Sequence, residues 1–159
     1  MSRNAGNSSA RASVRFARGP ANLTRMDESA LREAADLVRS RWPGTLVVYL
    51  FGSEARGRAI ADSDVDLAVV ASRSLAAYER FVLQEDLARA LGRDVDLVDL
   101  RVASEALKVE VIRGGRVLFE ASAAARGAFE CEALADYMSH KERFAANYQD
   151  IAERGVAYG

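Results

Sequence analysis

The stretch from Phe51 to Leu67, FGSEARGRAIADSDVDL, decides how the chain is read. It begins at the end of Thr45 to Phe51 (TLVVYLF), a β-branched and apolar run with the length of a buried strand. Gly52 breaks that run. A glycine at such a strand end lets backbone N–H groups approach a phosphate closely, and a helix starting there adds donors and a favourable dipole. The Ser53 hydroxyl can donate to the same phosphate. By themselves, Gly52 and Ser53 are also compatible with an ordinary turn. The stretch then enters a second apolar run, Val65 to Ala71 (VDLAVVA). Residues two apart on a strand share a face, so Asp64 and Asp66 converge while Val65 turns to the core. Two carboxylates a few ångströms apart repel by about 1 kcal/mol even in high dielectric. A hard cation such as magnesium removes that repulsion, and it accepts a few carboxylates plus phosphate oxygens. The competing reading is a polar turn, Asp62-Ser63-Asp64, leading into a strand on which Asp66 faces water. An isolated Asp-x-Asp favours that reading. Against it, Asp66 is flanked by Leu67, Val69 and Val70, and a carboxylate on a buried strand is unfavourable unless paired or metal-bound.

Working outward, Asp27-Glu28-Ser29 followed by Ala30, Leu31, Ala34, Ala35, Leu37 and Val38 predicts an acid-capped amphipathic helix, ended by Trp42-Pro43-Gly44. Ser74 is expected to cap a helix reaching Leu91, with Gly92 as its stop. Val95 to Leu100 (VDLVDL) alternates strictly and predicts a third strand. On it Asp96 can supply a further carboxylate, with Asp94 on the same face and Asp99 on the other. Three carboxylates can hold two metal ions, activating an attacking oxygen and stabilising a leaving pyrophosphate. Ser104 is expected to cap a short helix to Ile112, Gly114-Gly115 to turn, and Arg116 to Phe119 to form a fourth short strand. From Ala121 to about Arg154 the pattern is helical. The order predicts an α/β (α+β) domain, a mixed sheet of about four strands flanked by helices, with a C-terminal helix.

The chain has 159 residues, half of them apolar, which suits one domain with a real core. No run approaches the ~20 apolar residues of a membrane helix. Cys131 is the single cysteine and has no Cys/His cluster around it, so the expectation is a reduced, cytoplasmic setting without disulfide or zinc. Residues 1–25 carry five arginines and no acid. The remainder sets 17 basic residues against 23 acidic ones, a charge of about −6, which argues against stable nucleic-acid binding. The expected division is an N-terminal part over 1–25, a core over 26–120 and a helical segment over 121–159. The first part is read as a disordered arm or as the product of an upstream start, with Met26 the true first residue. On the last, Phe129, Leu134, Tyr137, Met138, Phe144 and Tyr148 form an apolar stripe, suited equally to packing on the sheet and to a partner. Cys131 is read as core and His140 as surface.

Gly52-Ser53, ten intervening residues and Asp64-Val65-Asp66 match the GS-x10-D-x-D motif of the DNA polymerase β-type nucleotidyltransferase superfamily. The fuller run GSEARG…SDVDL resembles its minimal nucleotidyltransferase (MNT) branch, and the resemblance extends over about Asp27 to Phe119. It implies a polymerase β-like fold in which Gly52 and Ser53 contact a nucleoside triphosphate and Asp64 and Asp66 bind Mg2+, with two ions expected. It further implies that Asp96 is the third carboxylate, the better placed to draw a proton from an attacking hydroxyl, and that Arg56 orients phosphate or acceptor. Arg56 as a solvated turn residue is the equal alternative. Proteins of this size resemble antitoxins of the MntA type, which belong to type VII-like pairs with HepT-like HEPN-domain RNase toxins. That resemblance implies transfer of AMP from ATP to a tyrosine of the toxin, which neutralises it. Two other readings stay open: transfer to a small molecule such as an antibiotic, and an inactive binding module of the same fold.

Overall fold

The two strands around the quoted stretch form with the bounds their apolar runs predict. The computed structural model describes residues 26–59 and 63–154. The arginine-rich segment 1–25, Asp62 and the side chain of Tyr148 lie outside the described residues. Along the chain the elements are α1 (Glu28–Arg41), β1 (Thr45–Phe51), α2 (Gly52–Ala55), β2 (Val65–Ala71), α3 (Ala77–Leu91), β3 (Val95–Asp99), α4 (Glu105–Gly114), β4 (Arg116–Glu120) and α5 (Ala123–Arg154). The strands lie in the order β3-β2-β1-β4. β1 runs antiparallel to both β2 and β4, and β3 runs parallel to β2. The parallel pair requires a crossover, which α3 supplies.

Side-chain alternation divides the core between the two faces of the sheet. Leu31, Ala34, Ala35 and Val38 of α1 pack with Leu83 and Leu87 of α3 against Val48, Leu50, Val65, Leu67, Val69, Val95 and Leu97. On the other face Val47, Tyr49, Phe51, Ala68 and Val70 meet Val111 of α4, with Leu107 and Phe129 packed alongside. Trp42, fully buried, satisfies its indole N–H on the Arg73 carbonyl at 2.8 Å. Asp27 caps α1, its carboxylate accepting from the Ser29 amide at 3.3 Å and the Ser29 hydroxyl at 2.6 Å. Among the described residues no helix is long and apolar enough to cross a membrane.

Several local expectations are corrected. Ser74 does not cap α3. Leu75 is drawn into the core, the chain stays extended through Ala76, and Glu79 closes the first turn by accepting from the Ala76 amide at 3.2 Å. β3 ends at Asp99 rather than Leu100. Cys131 is exposed, not core: α5 packs Phe129 against the sheet and buries Ala133 instead. His140 is exposed, as expected of a surface residue, and its Nδ1 meets a carboxylate of α4, that of Glu105, from 35 residues away.

α5 is locked to β1 by a polar contact as well as by packing. The buried Tyr49 hydroxyl donates to Glu130 Oε1 at 2.9 Å, and Arg126 pairs with the same carboxylate at 3.2 Å. Burial, then the Glu130 carboxylate, pushes the phenol well above its ordinary pKa. Tyr49→Phe is expected to lower stability by ~1 kcal/mol, about 2–4 °C in melting temperature. An unchanged thermal unfolding curve would show that the bond contributes nothing.

Candidate active site

β1 delivers the chain to Gly52, which adopts φ +65° and opens the single turn α2. Across the sheet Phe51 is the register partner of Asp66. The Gly52 turn therefore folds directly over that carboxylate: a Cβ at Gly52 would lie 1.9 Å from Asp66 Oδ2. Only glycine allows both the left-handed backbone and this approach.

Asp66 is in turn the register partner of Asp96 on the parallel strand. Both point to the face that carries α4. Asp64, two residues before Asp66, and Asp96 are exposed, whereas Asp66 is half-buried. Burial, followed by the charges of Asp96, Asp64 and Glu110, raises the Asp66 carboxyl above its ordinary pKa. The three aspartates predicted from the sequence thus share one electrostatic neighbourhood beside the Gly52-Ser53 turn. Asp94 is exposed and gives its carbonyl to the Val65 amide at 2.8 Å. Asp99 lies on the opposite face, buried, with Oδ1 accepting from the Arg101 amide at 2.9 Å and Oδ2 unpartnered among the described residues. It stands apart from the site.

Arg56 closes α2 and turns toward α4, where its Nη2 pairs with Glu110 Oε1 at 2.5 Å. It passes beside Gly114, where a Cβ would stand 3.7 Å from Arg56 Nε. Glu110 is a fourth acid at the site that sequence reasoning missed. Its position on α4 gives no local signal, since an exposed glutamate on a short helix is ordinary. Glu54 and Arg93 were missed as well. Glu54, buried on α2, accepts from the Met26 amide at 2.7 Å and from Arg93 Nη1 at 2.9 Å. Arg93 Nε donates to the Ser63 carbonyl at 2.9 Å, and its Nη2 donates to the same oxygen.

The donor chemistry fits a hard divalent cation. The side chains are carboxylates, they repel one another, and two of the three aspartates face solvent. Among the described residues no group of three or more acidic, histidine or cysteine side chains is placed to hold a metal ion by itself. An ion here would complete its shell with water and phosphate oxygens, as magnesium commonly does.

Comparison with known proteins gives the family of the chain. The family described as polymerase beta, nucleotidyltransferase matches residues 38–124, which contain Gly52, Ser53 and all three aspartates. Protein adenylyltransferase MntA of Shewanella oneidensis is 43% identical over 83 residues, 52% of this chain and 60% of that protein. The match therefore spans less than two thirds of the relative's length. A toxin–antitoxin crystal structure with AMP-PNP superposes with a TM-score of 0.70 at 32% identity, covering 79% of this chain and 98% of that one. The structure of a tri-AMPylated Shewanella oneidensis HEPN toxin in complex with MNT antitoxin gives a TM-score of 0.66 at 30% identity, over 79% and 98% of the two chains. With the motif, the strand register around it and the family match coinciding on the same residues, the chain belongs to the polymerase beta nucleotidyltransferase family.

Proposed function

We propose that this protein is the antitoxin of a type VII-like MNT–HEPN pair and transfers AMP from ATP to a tyrosine hydroxyl of its HepT-like RNase partner. The observation that carries the reading is the Gly52 turn folded onto Asp66, with Asp96 beside it in register. The likeness to MntA and to MNT–HEPN complexes supports the choice of acceptor. Gly52 and Ser53 hold the triphosphate through backbone amides and the serine hydroxyl. Asp64, Asp66 and Asp96 hold Mg2+, which when bound neutralises phosphate charge and stabilises the leaving pyrophosphate. The tyrosine oxygen attacks the α-phosphorus, the bond to the β-phosphate oxygen breaks, and the phenolic proton passes to an Asp96 carboxylate oxygen. Arg56 exchanges its Glu110 partner for phosphate. The exposed Met138 and Phe144 on α5 offer apolar surface of the kind a protein partner covers. The single cysteine suits a reduced, cytoplasmic setting.

The test is incubation with ATP labelled on the α-phosphate, magnesium and the HEPN-domain partner, with an aminoglycoside as a parallel acceptor. Label on a tyrosine of the partner is expected. Label on the small molecule alone, or on neither, would overturn the reading. Binding offers a second check: magnesium with AMP-PNP at ~100 times the dissociation constant should raise the melting temperature by about 5–10 °C. Each alone should raise it far less, because each completes the other's site. Additive shifts would argue against a shared site.

A further inference from the structure

We propose that Glu54 and Arg93 are a positioning pair that sets the spacing of Asp64 and Asp96 against the Gly52-Ser53 turn. The inference rests on the reading above, in which the three aspartates hold the metal. The candidate site is assembled from three separate segments, and this one ion pair touches all three. Glu54 directly follows Gly52-Ser53. Arg93 lies three residues before Asp96, just after Gly92 ends α3. The carbonyl that Arg93 grips belongs to Ser63, the residue before Asp64.

Glu54 is buried, its side chain 1% exposed, Arg93 is part-buried at 17%, and the two join at 2.9 Å. Burying two charges gives little net stability, and well-packed apolar residues often serve a fold as well or better. What an apolar pair lacks is direction. The guanidinium is a rigid planar fork, and here one arm reaches the Glu54 carboxylate while Nε and Nη2 both reach the Ser63 oxygen. The second carboxylate oxygen of Glu54 is fixed by the Met26 amide. The backbone bond from the Val65 amide to the Asp94 carbonyl closes the same junction. The entry to β2 and the entry to β3 are thereby clamped to α2, so the two exposed aspartates at those entries keep their place relative to the turn. A lysine at 93 retains the charge but loses the fork.

The experiment uses the full chain carrying Arg93→Lys, Glu54→Gln, or Glu54→Leu with Arg93→Met. Affinity for magnesium–AMP-PNP is measured by calorimetry, transfer rate with the partner, and melting temperature. Leu87→Ala, in the α3 core, serves as a destabilised control. The expected result is an affinity weakened ~10-fold and a kcat lowered ~10–100-fold in all three variants, since small displacements of aligned groups cost this much. The double apolar variant should nevertheless melt near the wild type, and Leu87→Ala should melt lower while binding normally. Wild-type affinity and kcat in Arg93→Lys or in the apolar double variant would overturn the positioning role. So would losses that follow melting temperature and appear equally in Leu87→Ala. Undiminished binding by Asp66→Asn would instead overturn the metal-site reading on which the inference stands.

Discussion

Asp66→Asn is expected to reduce transfer by about 1000-fold or more while making the ligand-free protein more stable. The loss of transfer follows from removing the central carboxylate of the three, since stabilisation of developing phosphate charge accounts for several kcal/mol of a barrier. The gain in stability follows from the raised pKa of Asp66, caused first by burial and then by Asp96, Asp64 and Glu110. In the unfolded chain its carboxyl returns to about 3.9. A group that binds its proton more tightly when folded contributes stability below the unfolded pKa and loses that contribution as pH rises through the folded one. At neutral pH the ionised Asp66 is therefore a net cost, which asparagine removes. Because the side chain is half-exposed, solvent screening keeps the effect small, about 1–3 °C in melting temperature. The gain should fade below about pH 4, where the wild-type carboxyl is protonated in either state. Near-wild-type transfer by Asp66→Asn, or a lower melting temperature at pH 7, would contradict this account.

Gly52→Ala is expected to damage both fold and activity, and a second glycine separates the causes. At φ +65° an alanine is strained by ~1–2 kcal/mol, and its Cβ would lie 1.9 Å from Asp66 Oδ2. The carboxylate must swing away, taking the central acid out of register with the turn. A fall of about 2–8 °C in melting temperature and of at least ~100-fold in transfer rate is expected. Gly57 has nearly the same backbone, φ +66°, yet a Cβ there meets nothing within 4 Å. Gly57→Ala should show the backbone strain in its melting temperature and keep most of its activity. If the two variants lose activity equally, the close approach of Gly52 to Asp66 has no functional weight.

The strands, though not their order in the sheet, and the aspartates were legible because their signals are local. β1 and β2 are short, mostly apolar runs with sharp ends, the two-residue period puts Asp64 and Asp66 on one face, and the β2–β3 register adds Asp96 to it. The residues that surround the site were not legible. Glu110 meets Arg56 across 54 positions, and Arg93 meets Glu54 across 39. Neither pairing leaves a periodicity or a motif, since each depends on how helices pack after the sheet has formed. Ser74 failed as a cap for a related reason: a side-chain cap is a local preference, and burial of Leu75 is a tertiary one. The stripe on α5 was real only in part. Of its residues Phe129 packs against the core, whereas Met138 and Phe144 remain 51% and 66% exposed.

The strand order leaves β3 and β4 at the two margins of the sheet, each five residues long. A margin with free backbone donors and acceptors can recruit a strand from another molecule and seed aggregation, and short charged strands discourage that. β4 begins and ends on charge, Arg116 and Glu120. On β3 an outward amide, that of Leu97, is already occupied by Gln84 Oε1 of α3 at 3.2 Å. The exposed carboxylate of Asp96 adds repulsion along the same margin. Asp96 thus guards solubility as well as standing in the candidate site, and an alanine there would uncover a more adhesive ribbon, VALVD. Asparagine, which keeps the shape and polarity, is the cleaner replacement for isolating the chemistry.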